Sequence, residues 1–114
     1  MARAGSHLSI RIDLVNGRFG PGKAALLRAI DETGSISAAA RTLGMSYARA
    51  WHLTEDLNSA FRERLVDTFA GGSRRGGATL TATGQEVLEI YESILKAAER
   101  VAAKKLARID LIRS

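Results

Sequence analysis

The sequence predicts a mainly α fold with one small β-hairpin, and three observations carry that expectation. Residues 33–61 read as two helices joined at a single glycine corner. Residues 65–81 hold two short apolar strands around a glycine-rich tip that bears two arginines. Residues 84–105 form one long helical pattern with more apolar surface than the rest of the chain can cover. Together they describe one domain over residues 1–114, a winged helix-turn-helix with a long C-terminal dimerisation helix. At 114 residues the chain is long enough for a single modest core.

Leu8, Ile10, Ile12 and Leu14 alternate through residues 8–15, the period of a half-buried strand. Residues 16–22 are a turn-rich link. Ala24, Leu26, Leu27 and Ile30 then recur at helical spacing over residues 23–33, and Gly34 ends that helix. Ser35 and Ile36 give a short extended lead-in. Ser37 is expected to cap a first short helix running through Leu43. Gly44 supplies the left-handed stop that other residues adopt only at a steric cost. Ser46 is expected to cap the second helix, which runs toward Phe61. Ala38, Ala39 and Ala40 let the two helices of this segment, 23–61 with the helix before it, approach closely.

On the second helix Ala50, Leu53, Leu57 and Phe61 share one face, with Trp51 and Thr54 beside them. An aromatic at helical spacing is usually core, so Trp51 is assigned there. Strands at residues 65–69 and 78–81 enclose the tip at 71–77, making a hairpin with a mobile basic end. Thr83 is expected to cap the last helix, with Glu86 completing a capping box. Val87, Ile90, Tyr91, Ile94, Leu95, Ala98, Val101 and Ala102 repeat along it in a near-heptad stripe. A core this small cannot cover so long a stripe, whereas a second copy of the same helix can.

The chain carries a net charge of +5, with 17 Lys and Arg against 12 Asp and Glu, and a pI near 10.2. That surplus suits a polyanionic partner. With no cysteine, neither a disulfide framework nor a thiolate zinc site is available. His7 and His52 lie far apart, so no metal site and no cofactor are expected. No apolar run approaches the ~18 residues that span a bilayer, and residues 1–7 lack the apolar stretch of a secretory signal. The expectation is a soluble, cytoplasmic protein with no membrane partner.

A glycine-cornered helix pair is the arrangement that puts a helix into the major groove of DNA. Ser37, Ser46, Tyr47, Arg49 and His52 are the candidate contacts on that segment. Arg49 can donate a bidentate pair to guanine O6 and N7, and a helix N-terminus favours phosphate. The bland alternative for Arg49 and His52 is a solvated helix face. Glu55 and Asp56 lie further along, where phosphates should be absent. At the hairpin tip Arg74 and Arg75 can neutralise phosphates or enter a narrow minor groove. A solvated tip is the alternative there.

Residues 17–23, GRFGPGK, also fit the G-x-x-x-x-G-K pattern of a phosphate-binding loop between a strand and a helix. Three features argue against it. Ala24 offers no hydroxyl for magnesium, Pro21 removes a backbone donor, and no set of parallel strands is present to bury such a sheet. A mobile loop leading into the first helix is the better reading, and no catalytic residue is assigned. The repeated Arg-Ile-Asp-Leu at 11–14 and 108–111 is ascribed to chance, with pairing of two terminal strands a distant second.

Residues 34–37 (GSIS), Ser46-Tyr47, Ala50-Trp51, Leu57-Asn58, Leu65-Val66, the glycine-rich hairpin and Leu80-Thr81 followed by Gly84 carry a family likeness. Together they resemble the N-terminal DNA-binding domain of molybdate-responsive ModE-type regulators, over about residues 20–95. LysR-type regulators share the architecture more loosely. The resemblance implies a homodimeric transcription factor bound to double-stranded DNA. Its helix at 46–61 would enter the major groove, its wing would touch the flanking backbone, and its last helix, helped by the N-terminal strand, would form the dimer. Two-fold pairing would set the recognition helices about 34 Å apart. Where the family's wing usually has a lysine, this chain has Ser73, Arg74 and Arg75. Full-length members continue into an oxyanion-binding domain, and the 114 residues contain none. The expectation is therefore a regulator acting alone or through a separate sensor protein.

Other readings compete with sequence-specific regulation. An architectural DNA-binding protein of low specificity fits the charge equally well. A protein-interaction module would be indifferent to loss of Arg49, Arg74 and Arg75. Nucleotide binding through residues 17–23 is remote, and RNA binding is disfavoured because the aromatics read as core.

Overall fold

The structure, a computed structural model, describes residues 5–71 and 74–114, and for residues 71, 74 and 75 the backbone alone. The order of elements is β1 (Ile12–Leu14), β2 (Gly17–Phe19), α1 (Pro21–Thr33), α2 (Ile36–Leu43), α3 (Tyr47–Ala60), β3 (Val66–Gly71), β4 (Arg74–Leu80) and α4 (Ala82–Ile112). It is the mainly α fold with a β-hairpin wing that the sequence predicts.

At the N-terminus the strand expected over 8–15 contracts to β1, and the expected link supplies its partner. β1 and β2 form an antiparallel hairpin, with Ile12 opposite Phe19 and Leu14 opposite Gly17. Residues 8–10 leave this hairpin and run along α4, where the Tyr91 hydroxyl donates to the Ile10 carbonyl at 2.7 Å. Leu8 and Ile10 are half-buried while His7 and Ser9 are exposed. The alternation is thus a property of an extended segment with one covered side, and here the cover is a helix. The two Arg-Ile-Asp-Leu copies do not pair: the first lies at β1 and the second inside α4.

α1 begins at Pro21, where a missing amide costs nothing, and ends at Gly34 with φ 82°. It buries Ala24, Leu26, Leu27, Ala29 and Ile30. The cap of α2 is Ser35, not Ser37. Ser35 is extended and its hydroxyl accepts from the Ala38 amide at 3.0 Å. Ser37 lies one residue inside the helix, where its hydroxyl accepts from Arg41 at 3.1 Å. The physical reason is Ile36, 6% exposed, which must enter the core and so belongs to the first turn. Gly44 closes α2 at φ 67°. Ser46 caps α3, accepting from the Arg49 amide at 3.1 Å.

The wing pairs Val66 with Leu80, Asp67 with Thr79, Thr68 with Ala78 and Phe69 with Gly77, with an irregularity before the Gly71–Arg74 pair. Of the basic tip expected at 71–77, residues 72 and 73 and the Arg74 and Arg75 side chains lie outside the described residues. α4 is capped by Thr81, whose hydroxyl accepts from the Gly84 amide at 3.0 Å. Thr83, the expected cap, instead donates to Glu63 at 2.7 Å. The cap moves forward because Thr81 is held in place twice over, its amide by the Leu65 carbonyl and its hydroxyl by that of Arg64.

α4 also runs past residue 105 to Ile112, a helix of 31 residues, and the molecule extends 57 Å along its longest axis. Its apolar positions divide into two lines. The inner line of Leu88, Tyr91, Leu95, Ala98, Ala102 and Leu106 is buried or half-buried. Tyr91 is 3% exposed, its ring edge-on to Phe19 at 5.1 Å, so it belongs to the core and not to an uncovered stripe. Burial also pushes its phenol pKa up. Leu95 packs against the same core. The outer line keeps Ile90, Ile94 and Val101 in solvent. Phe19, Leu26, Leu27, Ile30, Leu57, Leu65 and Val66 fill the centre of the molecule.

Candidate nucleic-acid interface

α3 buries Ala50, Thr54 and Leu57 against the core, and Thr54 satisfies its hydroxyl on the Ala50 carbonyl at 2.8 Å. The opposite face is therefore fixed in solvent. Its first half exposes Tyr47, Ala48, Arg49, Trp51 and His52. Ser46, Tyr47, Arg49 and His52, singled out from the sequence, thus come together at the start of one helix. Ser46 spends its hydroxyl as the cap. Ser37, half-buried on α2, lines a groove together with Tyr47.

Trp51 departs from its expected place in the core. It is 42% exposed, with its ring edge-on to that of His52 at 5.3 Å. The buried face of α3 is narrow because the small side chains Ala50 and Thr54 let α3 sit close to its neighbours. A ring one position round from Ala50 is carried out of the contact.

The groove, of about 630 Å³, separates the first turns of α2 and α3 from the wing. Ser35, Ser37 and Tyr47 line one wall, and Phe69 and Gly77 the other. Both helices begin at this groove, and the positive end of a helix dipole favours an anion. The second half of α3 carries Glu55 and Asp56. The charge along α3 is therefore uneven, with Arg49 in its first half and the two carboxylates in its second.

Asn58 holds α3 to the wing, and further contacts fix the wing on α1 and α4. Asn58 accepts from the amides of Leu65 and Val66 at 2.8 and 3.0 Å and donates to the Val66 carbonyl at 3.1 Å. The Ala78 amide donates to the Gly34 carbonyl at 2.8 Å, tying β4 to the end of α1. Gly77 lets the Phe69 ring lie across the strand, where a side chain would strike it. Gly84 serves the same purpose at the base, since any Cβ there would collide with the Leu65 backbone. Asn58 and Gly84 stood in the sequence as parts of a pattern without a role. A polar side chain at the end of a helix, just before a strand, was the only signal for Asn58.

The G-x-x-x-x-G-K segment forms β2 and the first turn of α1 and is not an open loop. Lys23 turns its ammonium onto the Arg18 carbonyl at 2.9 Å, inside the segment itself. Among the described residues no helix is long and apolar enough to cross a membrane, and no group of three or more His, Asp or Glu side chains could hold a metal ion.

Comparison with known proteins agrees with this geometry. The pattern of bacterial regulatory helix-turn-helix proteins of the lysR family matches residues 23–85, from α1 through the wing to the first turn of α4. The molybdenum-pterin-binding protein MopB of Rhodobacter capsulatus is 40% identical over 83 residues, covering 73% of this chain and 31% of MopB. The transcriptional regulator ModE of Yersinia pestis is 42% identical over 72 residues, covering 63% of this chain and 27% of ModE. The chain thus spans about three-tenths of the length of these relatives. Among solved structures, a CbnR DNA-binding domain in complex with DNA superposes with a TM-score of 0.61 at 26% identity, over 77% of this chain and 95% of that one. Full-length CbnR complexed with its target DNA gives 0.57 at 25% identity, over 74% of this chain and 27% of CbnR.

Proposed function

The chain belongs to the bacterial regulatory helix-turn-helix proteins of the lysR family, and from that premise we propose that it is a sequence-specific transcriptional regulator that binds double-stranded DNA in the cytoplasm. The observation that carries the reading is the exposed first half of α3 beside the groove. α3 enters the major groove, with Arg49 and His52 toward base edges and the Ser46–Tyr47 end near a phosphate. A phosphodiester strand follows the groove between helices and wing, and Ser37 flanks it. Arg74 and Arg75 act from the wing on backbone or minor groove. The chemistry is binding, and no catalytic role is assigned.

The protein acts as a homodimer through α4. The outer line Val87, Ile90, Ile94, Ala97 and Val101 follows a strict heptad, with Ile90 52%, Ile94 42% and Val101 81% exposed. An apolar hollow of about 170 Å³ between the β1–β2 hairpin and α4 continues it. Glu86 and Glu89 lie early on α4 and Lys104 and Arg108 late, so antiparallel pairing brings opposite charges together.

The test is fluorescence anisotropy with the DNA upstream of the protein's own gene and a scrambled duplex of equal length, at about 150 mM salt. A preference of ~10³ or more marks a specific regulator. Equal binding to both leaves an architectural protein. No binding to either removes DNA recognition.

A further inference from the structure

The exposed large apolar side chains fall into two groups and one outlier. Ile90, Ile94, Val101, Ile109, Leu111 and Ile112 lie on α4, and Val15 stands alone in the turn of the β1–β2 hairpin. The other group is aromatic: Tyr47 and Trp51 on α3, at 55% and 42% exposure, and Phe69 on the wing at 56%. An isolated apolar side chain on a surface needs no explanation, but Tyr47 and Phe69 lining one groove, with Trp51 exposed next to it on α3, do. Trp51 is the sharpest member, being the chain's sole tryptophan and standing one turn after Tyr47 on the exposed face of α3.

We propose that Trp51 is a specificity-determining residue that packs its indole against thymine methyl groups in the major groove; this rests on the DNA-binding reading above. The composition of the exposed face supports it. From Tyr47 to His52 that face has one cation, Arg49, and neither Asn nor Gln, the usual partners of adenine N6 and N7. Besides Arg49, the exposed side chains are His52 and the largely apolar Tyr47, Ala48 and Trp51. In the major groove the one apolar feature that distinguishes a base pair is the C5-methyl of thymine. A face with one guanine-reading cation and a large apolar surface therefore recognises mixed sites in which T·A pairs are read by their methyls. The indole meets the His52 ring edge-on, a contact that favours this orientation of the side chain.

The single tryptophan makes the test direct. The upstream duplex is prepared with thymidine and, in parallel, with deoxyuridine throughout, which removes only the methyls. Binding is followed by anisotropy of labelled DNA, and separately by Trp51 emission and its quenching by acrylamide. The wild type is expected to show reduced acrylamide access when bound and to lose about fourfold in affinity for each contacted methyl on the deoxyuridine duplex. Trp51→Ala is expected to bind the thymidine duplex more weakly and to treat the two duplexes alike. Its unchanged circular dichroism would show that it is folded, and Trp51→Phe should restore part of the discrimination. If anisotropy reports binding while Trp51 stays fully open to acrylamide, or if Trp51→Ala still discriminates between the duplexes, the proposal falls and the DNA-binding reading stands. If no duplex raises the anisotropy, both fall.

Discussion

Ser6 and Asp110, 104 residues apart in sequence, are joined at the far end of α4. The Ser6 amide donates to both carboxylate oxygens at 3.0 and 3.2 Å, and its hydroxyl donates to Oδ1 at 2.6 Å. Arg113 donates to the same oxygen at 2.8 Å. With the Tyr91–Ile10 bond this fixes both ends of the segment that covers the inner line of α4.

The bonds from the Ser6 hydroxyl, from Arg113 and from the Ser6 amide hold the Asp110 pKa at about 2, below its ordinary 3.8. A depressed carboxylate stabilises the fold above its unfolded pKa, and that contribution disappears as pH falls through the folded value. Hydrogen exchange of residues 6–10 should stay slow down to about pH 4 and quicken toward pH 2, after correction for intrinsic rates. Asp110→Asn should give fast exchange there already at pH 7. Protection unchanged in that variant would show that Leu8 and Ile10 alone hold the segment.

Asn58→Ala removes three hydrogen bonds and leaves the amides of Leu65 and Val66 without them at the base of the wing. Unsatisfied buried groups cost about 1–3 kcal/mol, so a lowered Tm is expected. A melting temperature equal to that of the wild type would mean that water replaces the side chain at no cost.

Two glycines give opposite expectations. Gly84→Ala drives a methyl into the Leu65 backbone, and overpacking of this kind costs about 1–3 kcal/mol or more. At Gly22 nothing lies within 4 Å of an added Cβ, and alanine in a helix should be neutral or stabilising by up to about 1 kcal/mol. Denaturant melts of both variants check the pair; equal midpoints would contradict the close approach of α4 to Leu65.

Ile94→Glu places a carboxylate in the outer line of α4 without touching the inner one. Light scattering after gel filtration should find the wild type dimeric and the variant monomeric, with helix content unchanged by circular dichroism. A dimeric variant would move the interface away from α4.

Arg49→Ala should weaken DNA binding by about 1–3 kcal/mol and relax specificity at one position if the guanidinium reads a guanine. A uniform loss over all sequences, with a shallower salt dependence, would assign Arg49 to phosphate instead.

The sequence by itself determined the elements whose causes are local. Gly34 and Gly44 stop α1 and α2 through left-handed backbone, Ser46 caps α3, and two apolar runs around a glycine tip make the wing. Only the tertiary structure decided questions that turn on what lies opposite. The alternation at residues 8–14 is real, but the partner of its first half is a helix. Heptad spacing on α4 marks two lines, and packing against Phe19 and residues 6–10 settles which is covered. Ser35 displaces Ser37, and Thr81 displaces Thr83, because core burial of Ile36 and the bonds to Arg64 and Leu65 fix the preceding residue. Trp51 comes out of the core for a similar reason: periodicity gives a residue's direction around its helix, while burial depends on how closely the neighbours approach.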